Sequence, residues 1–179
     1  MNIKLGVIFG GVSVEHEVSI ISAVQAMKAI DTEKYDVIPI YITKDREWYT
    51  GAVLKDMDTY TDMDLLKRYS SNVDLVRKKG KFYLQTKGLI KRCVTDIDII
   101  LPICHGTNME DGTLQGYLQT IGIPYCESDV APSSVAQDKV TQKLVFESRE
   151  LPVSPYIWFY DVDYNNNPDE TIKKCSALG

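Results

Sequence analysis

The first 42 residues alternate between apolar and amphipathic segments, and this order limits the fold more than any other feature of the chain. Residues 4–9 are typical of a short buried strand, and residues 35–42 form a second one rich in β-branched side chains. The segment between them predicts a helix with an inward apolar stripe: Val18, Ile21, Val24 and Met27. Because strand, helix and strand in this order form a parallel pair with a right-handed crossover, the sequence predicts an α/β fold. We expect an open, mainly parallel sheet flanked by helices.

Residues 44–92 interrupt this pattern with charged, tyrosine-rich sequence that has no sustained period. Within it, residues 73–77 and 82–85 flank a Lys-Lys-Gly-Lys tip at 78–81, which predicts a β-hairpin inserted at the edge of the sheet. Residues 97–101 then resume the pattern of a buried strand.

Helical periodicity returns after Asp111. Four apolar residues share one helix face: Leu114, Tyr117, Leu118 and Ile121. Gly122 follows them, as is typical of a helix C-terminus, and residues 124–125 predict a short strand.

The last third of the sequence predicts two more helices. Ser133 is a plausible cap for a long helix with the apolar stripe Ala136, Val140, Leu144 and Leu151. An extended apolar segment follows at residues 156–160. Asn167 and Pro168, with acids after them, then indicate the start of a final helix.

Composition excludes some partners. The net charge of −5 and the lack of a basic stripe argue against a nucleic-acid partner, because phosphate binding needs a concentrated basic face. The sequence has no apolar run long enough to span a bilayer and no secretory leader before the first strand, so we expect a cytoplasmic protein. The four cysteines are scattered without zinc-ligand spacing, which favours reduced thiols and no metal site.

A polar loop at residues 103–116 is the main candidate for a functional site. It holds His105, Glu110, Asp111 and three glycines directly behind an apolar strand. In open α/β sheets ligands bind beyond the carboxyl ends of the strands, where this loop is expected to lie. Simpler interpretations remain open: His105 donates to a nearby carbonyl, and the two acids cap the next helix.

Glu15 also has two interpretations. In the simpler one, the carboxylate interacts favourably with the positive end of the first helix dipole, which stabilises the helix by about 0.3 to 1 kcal/mol. Alternatively it lies beside the His105 loop and offers negative charge to a substrate ammonium. The Gly10-Gly11 turn lacks the glycine spacing and the later acid of a dinucleotide-binding loop, so a nicotinamide cofactor is not expected. Lys139, near a helix start, is either solvated or able to reach a phosphate.

Three motifs in this order resemble the N-terminal region of D-alanine:D-alanine ligases. They are Gly-Gly-Val-Ser-Val-Glu-His-Glu-Val-Ser at 10–19, His-Gly-Thr-Asn-Met-Glu-Asp-Gly-Thr-Leu-Gln-Gly at 105–116, and Gln-Asp-Lys at 137–139. The resemblance runs from Lys4 to Gly179 and is weakest in the insertion. It implies an ATP-grasp enzyme for which this sheet is the Rossmann-like pre-ATP-grasp domain. In such enzymes ATP phosphorylates one D-alanine, and the amine of a second attacks the acyl phosphate. The dipeptide product enters peptidoglycan synthesis.

The resemblance also implies roles for individual residues. Glu15 corresponds to the acid that holds the ammonium of the first D-alanine, and Val18 to the residue beside its methyl group. His105 corresponds to the histidine near the bound substrate, so Glu15 and His105 are the expected catalytic residues. Lys139 corresponds to a lysine that contacts the nucleotide. Glu127 stands where the family commonly has glycine, so the backbone there is expected to differ.

The resemblance further implies the organisation of the whole protein. Residues 1–151 would be the pre-ATP-grasp domain and residues 152–179 the start of a central ATP-grasp domain. We expect the protein to continue beyond Gly179 into segments that bind ATP and Mg²⁺, so that this chain alone is inactive. A homodimer that binds D-alanine is the expected assembly.

Two alternatives remain open at this level. One keeps the family and changes the acceptor to D-serine or D-lactate, as in glycopeptide-resistance ligases. The other is a stand-alone domain that binds a D-amino acid or a protein partner.

Overall fold

The computed structural model describes residues 2–178. These residues divide into two compact units: the first ends at Gln137, and the second begins at Asp138. The first unit contains the sheet and four helices, and the second contains three helices. The expected domain boundary near residue 151 stays a prediction, since it concerns the organisation of the longer family protein.

The first unit is built on one seven-stranded sheet with the order β6-β5-β4-β3-β2-β1-β7. The strands are β1 (Ile3–Gly10), β2 (Tyr35–Ile42), β3 (Trp48–Thr50), β4 (Ser71–Lys78), β5 (Lys81–Thr86), β6 (Cys93–Ile97) and β7 (Ile99–Pro102). Its helices are α1 (His16–Ala29), α2 (Met63–Tyr69), α3 (Thr113–Ile121) and α4 (Val130–Gln137), with two short 3-10 helices at Ala52–Lys55 and Met57–Thr61. The predicted α/β fold with a helix-flanked sheet is confirmed.

Parallel and antiparallel pairings occupy different parts of the sheet. β1 pairs in parallel with both β2 and β7, as the strand–helix–strand order predicts. The pairings from β2 through β6 are antiparallel, and the strands between these two, β3, β4 and β5, lie in the inserted segment. The expected hairpin is confirmed as β4 and β5, with its tip at Lys79 and Gly80. The polar loop predicted as the functional site follows β7, so it lies at the end of the parallel strands.

The strand predicted at residues 97–101 is confirmed as β7 for residues 99–101, but Ile97 belongs to β6, because the chain changes partner at Asp98. β6 ends at Ile97 after pairing with β5, and β7 begins at Ile99 and pairs with β1. The backbone N–H of Asp98 donates to Lys4 O at 2.9 Å, and its carboxylate accepts from Lys4 N–H at 2.8 Å. Asp98 thus joins two strands that stand at opposite ends of the sheet order.

Helix α1 buries a different face from the one predicted. Val18 and Ile21 are 52% and 45% exposed, whereas Val24 and Met27 are buried as expected. The buried face is completed by His16, Ser19, Ile20 and Ala23. Ser19 and Ala23 are both fully buried, so the helix packs on the sheet through small residues. Hydrophobicity alone therefore selected the wrong rotation of the helix.

Two helices replace the single long one predicted after Ser133. Ser133 lies inside α4 and is buried, so it is not a cap. The break falls at Asp138, whose backbone is extended and whose side chain accepts from Thr141 N–H at 2.6 Å. A new helix, α5 (Lys139–Ser148), starts from this cap, and Leu144 on it is 53% exposed.

The helix predicted after Asp111 is confirmed as α3, which ends at Gly122 in the left-handed conformation at φ +77°. The short strand expected at residues 124–125 is a single bridge between Tyr125 and Ile100 of β7.

The second unit continues with α6 (Asp161–Asn166) and α7 (Pro168–Ser176), while residues 151–160 have no regular secondary structure. The predicted start of the final helix is confirmed. Asn167 is its cap and accepts from Glu170 N–H at 3.3 Å, and Pro168 is its first residue. Across residues 2–178, none of the helices has the length and apolar character needed to cross a bilayer.

Candidate functional site

Two loops meet at the carboxyl ends of the neighbouring parallel strands β1 and β7. The first loop, residues 11–15, leads into α1, and the His105 loop, residues 103–112, leads into α3. Asn108 Nδ2 donates to Val12 O at 3.1 Å. Ser19 on α1 accepts from Gly10 N–H at 2.9 Å and donates to Ile103 O at 2.7 Å. These bonds hold the two loops together at the edge of the sheet where α/β proteins bind ligands.

Glycines allow the two loops to approach closely. Gly106 has φ +78°, and a Cβ atom there would overlap Ser13 Oγ and lie 2.8 Å from Glu15 Oε2. Gly11 has φ +89°, and a Cβ atom there would overlap the side chain of Met109. Both positions need glycine for the left-handed conformation and for the contact. The glycines of the two motifs thus bring Glu15 beside the residue that follows His105.

Glu15 occupies the cap position of α1, yet its side chain makes no capping hydrogen bond. Its backbone is held instead: Glu15 N–H donates to Ser13 Oγ at 3.0 Å, and its carbonyl accepts from Ser19 N–H at 3.0 Å. The carboxylate is exposed beside Gly106. An exposed carboxylate on a backbone held at this point is suited to pairing with an ammonium group.

His105 faces two side chains rather than serving as a plain loop donor. Its Nε2 lies 3.1 Å from Ser22 Oγ on α1, and its Nδ1 lies 3.5 Å from Glu110 Oε1. The other carboxylate oxygen of Glu110 accepts from Gly106 N–H at 2.6 Å. The ring is one-third exposed, so it remains accessible from solvent.

Asp111 stabilises the turn before α3. Its carboxylate accepts from Asn108 N–H at 2.7 Å and from Thr113 N–H at 3.0 Å. Burial by itself would raise the pKa of Asp111, but these donors hold it below its ordinary value. The cap residue of α3 is Gly112, so neither acid occupies the cap position: Asp111 bonds the first helical N–H from the position before it, and Glu110 turns towards His105.

Gln115 is a polar residue of the site region that sequence reasoning missed. It is fully buried, and its Nε2 donates to Met109 O at 3.1 Å and to Glu127 Oε2 at 2.5 Å. Its Oε1 has no hydrogen-bond partner among the described residues. Partial burial raises the pKa of Glu127, against the effect of the Gln115 bond, and the charge of Glu110 raises it further. The available signal in the sequence was that this glutamine lies between two residues of the predicted apolar face of α3.

Ser22 was missed as well, although helical spacing places it on the face of α1 that carries Glu15 and Val18. These three residues stand at i, i+3 and i+7, which share one side of a helix. The position of Ser22 against His105 follows from the pairing of β1 with β7, which the sequence does not state directly.

The other predicted site residues are placed as follows. Val18 is exposed on α1, and Lys139 is the first residue of α5 in the second unit. Within residues 2–178, no group of three or more His, Cys, Asp or Glu side chains is arranged to hold a metal ion.

A separate cavity of about 420 Å³ lies on another side of α1. His16, Tyr41 and Tyr60 form part of its wall, and none of the four predicted site residues lines it. His16 Nδ1 lies 2.6 Å from Gly11 O and its Nε2 lies 2.9 Å from the Tyr41 hydroxyl. Burial raises the pKa of Tyr41 to about 12, so this hydroxyl stays protonated at neutral pH.

The comparison with known family models covers the part of the chain that holds both loops. Residues 4–128 match the family model described as D-ala D-ala ligase N-terminus, and this range includes both loops. A D-alanine--D-alanine ligase from Thermosipho melanesiensis is 39% identical over 173 residues, which is 97% of this chain and 46% of that protein. The chain thus spans about half the length of the curated relatives it matches.

Solved structures show the same fold. The VanG D-Ala:D-Ser ligase from Enterococcus faecalis aligns with a TM-score of 0.72 at 30% identity, covering 99% of this chain and 49% of that one. The D-alanine-D-alanine ligase from Coxiella burnetii aligns with a TM-score of 0.74 at 27% identity, covering 94% and 49%. The Bacillus anthracis enzyme complexed with ATP aligns with a TM-score of 0.55 at 25% identity, covering 93% and 43%.

The family match covers well over half of the chain and includes the two loops that meet at the carboxyl ends of β1 and β7. This chain therefore belongs to the D-alanine:D-alanine ligase family and corresponds to its N-terminal part.

Proposed function

We propose that this chain is the substrate-holding N-terminal part of a D-alanine:D-alanine ligase, which joins two D-alanines with ATP through an acyl phosphate. The observation that carries the proposal is the exposed Glu15 carboxylate beside Gly106, next to His105. The product would serve peptidoglycan synthesis. The coverage of about half of each relative leaves the remaining machinery to the rest of the family protein.

Each predicted site residue has a specific role in this proposal. Glu15 binds the ammonium of the first D-alanine, because a carboxylate attracts a cation and the backbone of Glu15 is held beside Gly106. Val18, exposed one turn along α1, contacts the methyl group of the substrate. His105 lies beside the substrate from the opposite loop, and Glu15 and His105 together form this chain's part of the active site.

ATP and Mg²⁺ belong to the same proposal. Lys139 contacts the nucleotide, since an ammonium group suits a phosphate, and a Bacillus anthracis relative has been crystallised with ATP. The described residues offer no cluster that fits a metal ion, so the Mg²⁺ ligands would lie in other parts of the family protein. When bound there, Mg²⁺ would neutralise phosphate charge.

The role of Glu15 is tested by calorimetry of the intact ligase with D-alanine. We expect Glu15→Gln to weaken binding at least about tenfold, because the ammonium loses its charged partner. Glu33→Gln, which changes an exposed carboxylate in the turn between α1 and β2, is the matched control and should bind as the wild type does. Unchanged affinity of Glu15→Gln would contradict the proposal.

The division of labour is tested with residues 1–179 alone. We expect no ADP release that depends on D-alanine, because residues 2–178 offer no cluster for a metal ion, and the groups that hold the transferring phosphoryl are proposed to lie in other parts of the family protein. Measurable D-alanine-dependent release would show that the division is wrong.

One observation favours a second candidate, a D-alanine:D-serine or D-alanine:D-lactate ligase: the VanG D-Ala:D-Ser ligase is 30% identical over nearly the whole chain. The two candidates are distinguished by ADP release from the intact enzyme with D-alanine, D-serine and D-lactate as competing acceptors. Preference for D-serine or D-lactate would replace the D-alanine proposal for the acceptor.

Two further parts of the proposal concern the cell. We infer a cytoplasmic enzyme, where ATP is available, and a homodimer. Sedimentation of the intact protein tests the assembly, and a mass of one protomer would exclude it.

A further inference from the structure

Two side chains without a role in the proposed chemistry face the two ring nitrogens of His105. Ser22 Oγ lies 3.1 Å from Nε2, and Glu110 Oε1 lies 3.5 Å from Nδ1. We propose that Ser22 and Glu110 are positioning residues that fix the tautomer and the orientation of the His105 ring beside the first D-alanine. This inference rests on the proposed function for the identity of the substrate.

The chemistry of the two partners selects one neutral form of the ring. A carboxylate oxygen only accepts hydrogen bonds, so the nitrogen that faces Glu110 carries the proton. Nε2 then has a free lone pair, which accepts from the Ser22 hydroxyl. The negative charge of Glu110, 3.5 Å from Nδ1, favours the proton on that nitrogen, so Glu110 sets the tautomer from the side away from the Ser22 hydrogen bond.

The Glu110 carboxylate is itself held in place. Its Oε2 accepts from Gly106 N–H at 2.6 Å while Oε1 faces the ring of the preceding residue. The same Gly106 lies against Glu15, so one carboxylate connects the histidine to the point where the two loops touch. Any movement of Glu110 would therefore displace both the ring and the backbone next to Glu15.

Ser22 fixes the ring from the other side. It lies on α1, four residues after Val18 and seven after Glu15, so these three side chains share one helix face. The residue that orients His105 is thus carried by the same rigid element as the two residues proposed to hold the substrate. A site supported in this way holds its geometry better than one built on loops alone.

The test is nuclear magnetic resonance of residues 1–179 labelled with ¹⁵N-histidine, where His16 and His105 are the only two histidines. His105→Asn assigns the signals. We expect neutral His105 to carry its proton on Nδ1 in the wild type. Glu110→Ala should populate both tautomers, and Glu110→Gln, which keeps an acceptor oxygen, should restore the wild-type form. Ser22→Ala should keep the tautomer and shift the Nε2 signal.

His16 and a distant carboxylate provide the controls. The ring of His16 is buried between Gly11 O and the Tyr41 hydroxyl, so its signals should not change in any of these variants. Glu33→Gln should leave the His105 signals unchanged. His105 signals that are identical in wild type, Ser22→Ala and Glu110→Ala would overturn the positioning role.

Titration with D-alanine, with L-alanine as the control, separates this inference from the proposed function. D-alanine should shift the His105 signals, and Ser22→Ala and Glu110→Ala should each bind about 2- to 10-fold more weakly, as expected for the loss of one polar contact that orients the ring. Altered tautomers without any response to D-alanine would contradict the proposed function and support the positioning role. If wild type responds to D-alanine but the variants keep the wild-type tautomer and affinity, the proposed function is supported and the positioning role is contradicted.

Discussion

The two compact units differ in what stabilises their helices. In the first unit, α1 and α3 bury apolar faces against the sheet, and every residue of the two hydrophobic clusters lies between Leu5 and Tyr125. In the second unit, Thr171 is the one residue described as buried, while Trp158 and Tyr160 are 54% and 65% exposed. The first unit is thus stabilised by helices packed on a sheet. In the unit that follows it in the sequence, the helices depend on local signals.

Local signals explain the helices of the second unit. Asp138 and Asn167 accept from backbone N–H groups at the starts of α5 and α7. Glu170 and Lys174 form an ion pair at i and i+4 on α7, 2.8 Å apart. Capping bonds and an exposed ion pair stabilise a helix less than the burial of one large side chain, which contributes about 1.5 to 3 kcal/mol. The two loops of the candidate site therefore belong to the unit that has the larger hydrophobic core.

Truncating one leucine in each unit tests this difference most strongly. Leu118 on α3 is fully buried, and Leu144 on α5 is 53% exposed. We expect Leu118→Ala to lower the free energy of unfolding by about 2 to 5 kcal/mol, because it leaves a cavity. Leu144→Ala should change it by no more than about 0.5 kcal/mol. Urea denaturation of both variants measures the difference, and equal losses would abolish the contrast between the units.

A pair of glycines tests whether the site depends on close approach or only on backbone conformation. Gly106 and Gly80 have nearly the same φ, +78° and +79°, but no atom lies within 4 Å of a Cβ added at Gly80. Gly80→Ala should cost about 1 kcal/mol from the left-handed conformation alone. Gly106→Ala should cost about 1 to 2 kcal/mol more, because it displaces Ser13 and Glu15.

Thermal denaturation measures both glycine variants, and D-alanine binding by the intact ligase is the second readout. Binding should weaken in Gly106→Ala and stay unchanged in Gly80→Ala. Equal behaviour of the two variants would show that the contact between the loops has no energetic importance.

The smallest expected effect concerns Asp111 and its pH dependence. The pKa of Asp111 in the folded protein lies below its ordinary value of 3.8. The ionised carboxylate therefore stabilises the folded state, and this stabilisation is fully present above pH 3.8. It is lost as the pH falls through the folded-state value. We expect Asp111→Asn to be about 1 kcal/mol less stable at pH 7, with a difference that shrinks below pH 3.8. Denaturation at pH 7 and pH 3 checks this, and a constant difference would contradict the assigned cause.

The sequence predicted the elements whose pattern is local. The strand–helix–strand start, the hairpin tip at Lys79 and Gly80, and the cap at Asn167 follow from short-range chemistry, and the structure confirms them. The two errors in α1 have a different origin. Val18 and Ile21 are apolar and fit a helical stripe, but packing against the sheet selected the face with Ser19 and Ala23.

The site was predictable only in part for the same reason. Glu15 and His105 stand in recognisable motifs, so their loops could be named in advance. The contacts of Ser22 with His105 and of Gln115 with Glu127 join residues that are 83 and 12 positions apart. Such contacts depend on strand pairing and helix rotation, which the sequence pattern does not define. The break at Asp138 was missed because one aspartate can either continue a polar helix face or cap a new helix.

The bridge between Tyr125 and Ile100 has a consequence for association between molecules. An uncovered edge strand offers its backbone groups to other chains and promotes aggregation. At β7, Ile100 N–H donates to Pro124 O and Ile100 O accepts from Cys126 N–H, both at 2.9 Å. Residues 124–126 therefore shield the middle of this edge from a neighbouring strand. The segment that leads to Glu127 thus also protects the parallel end of the sheet from edge-to-edge pairing.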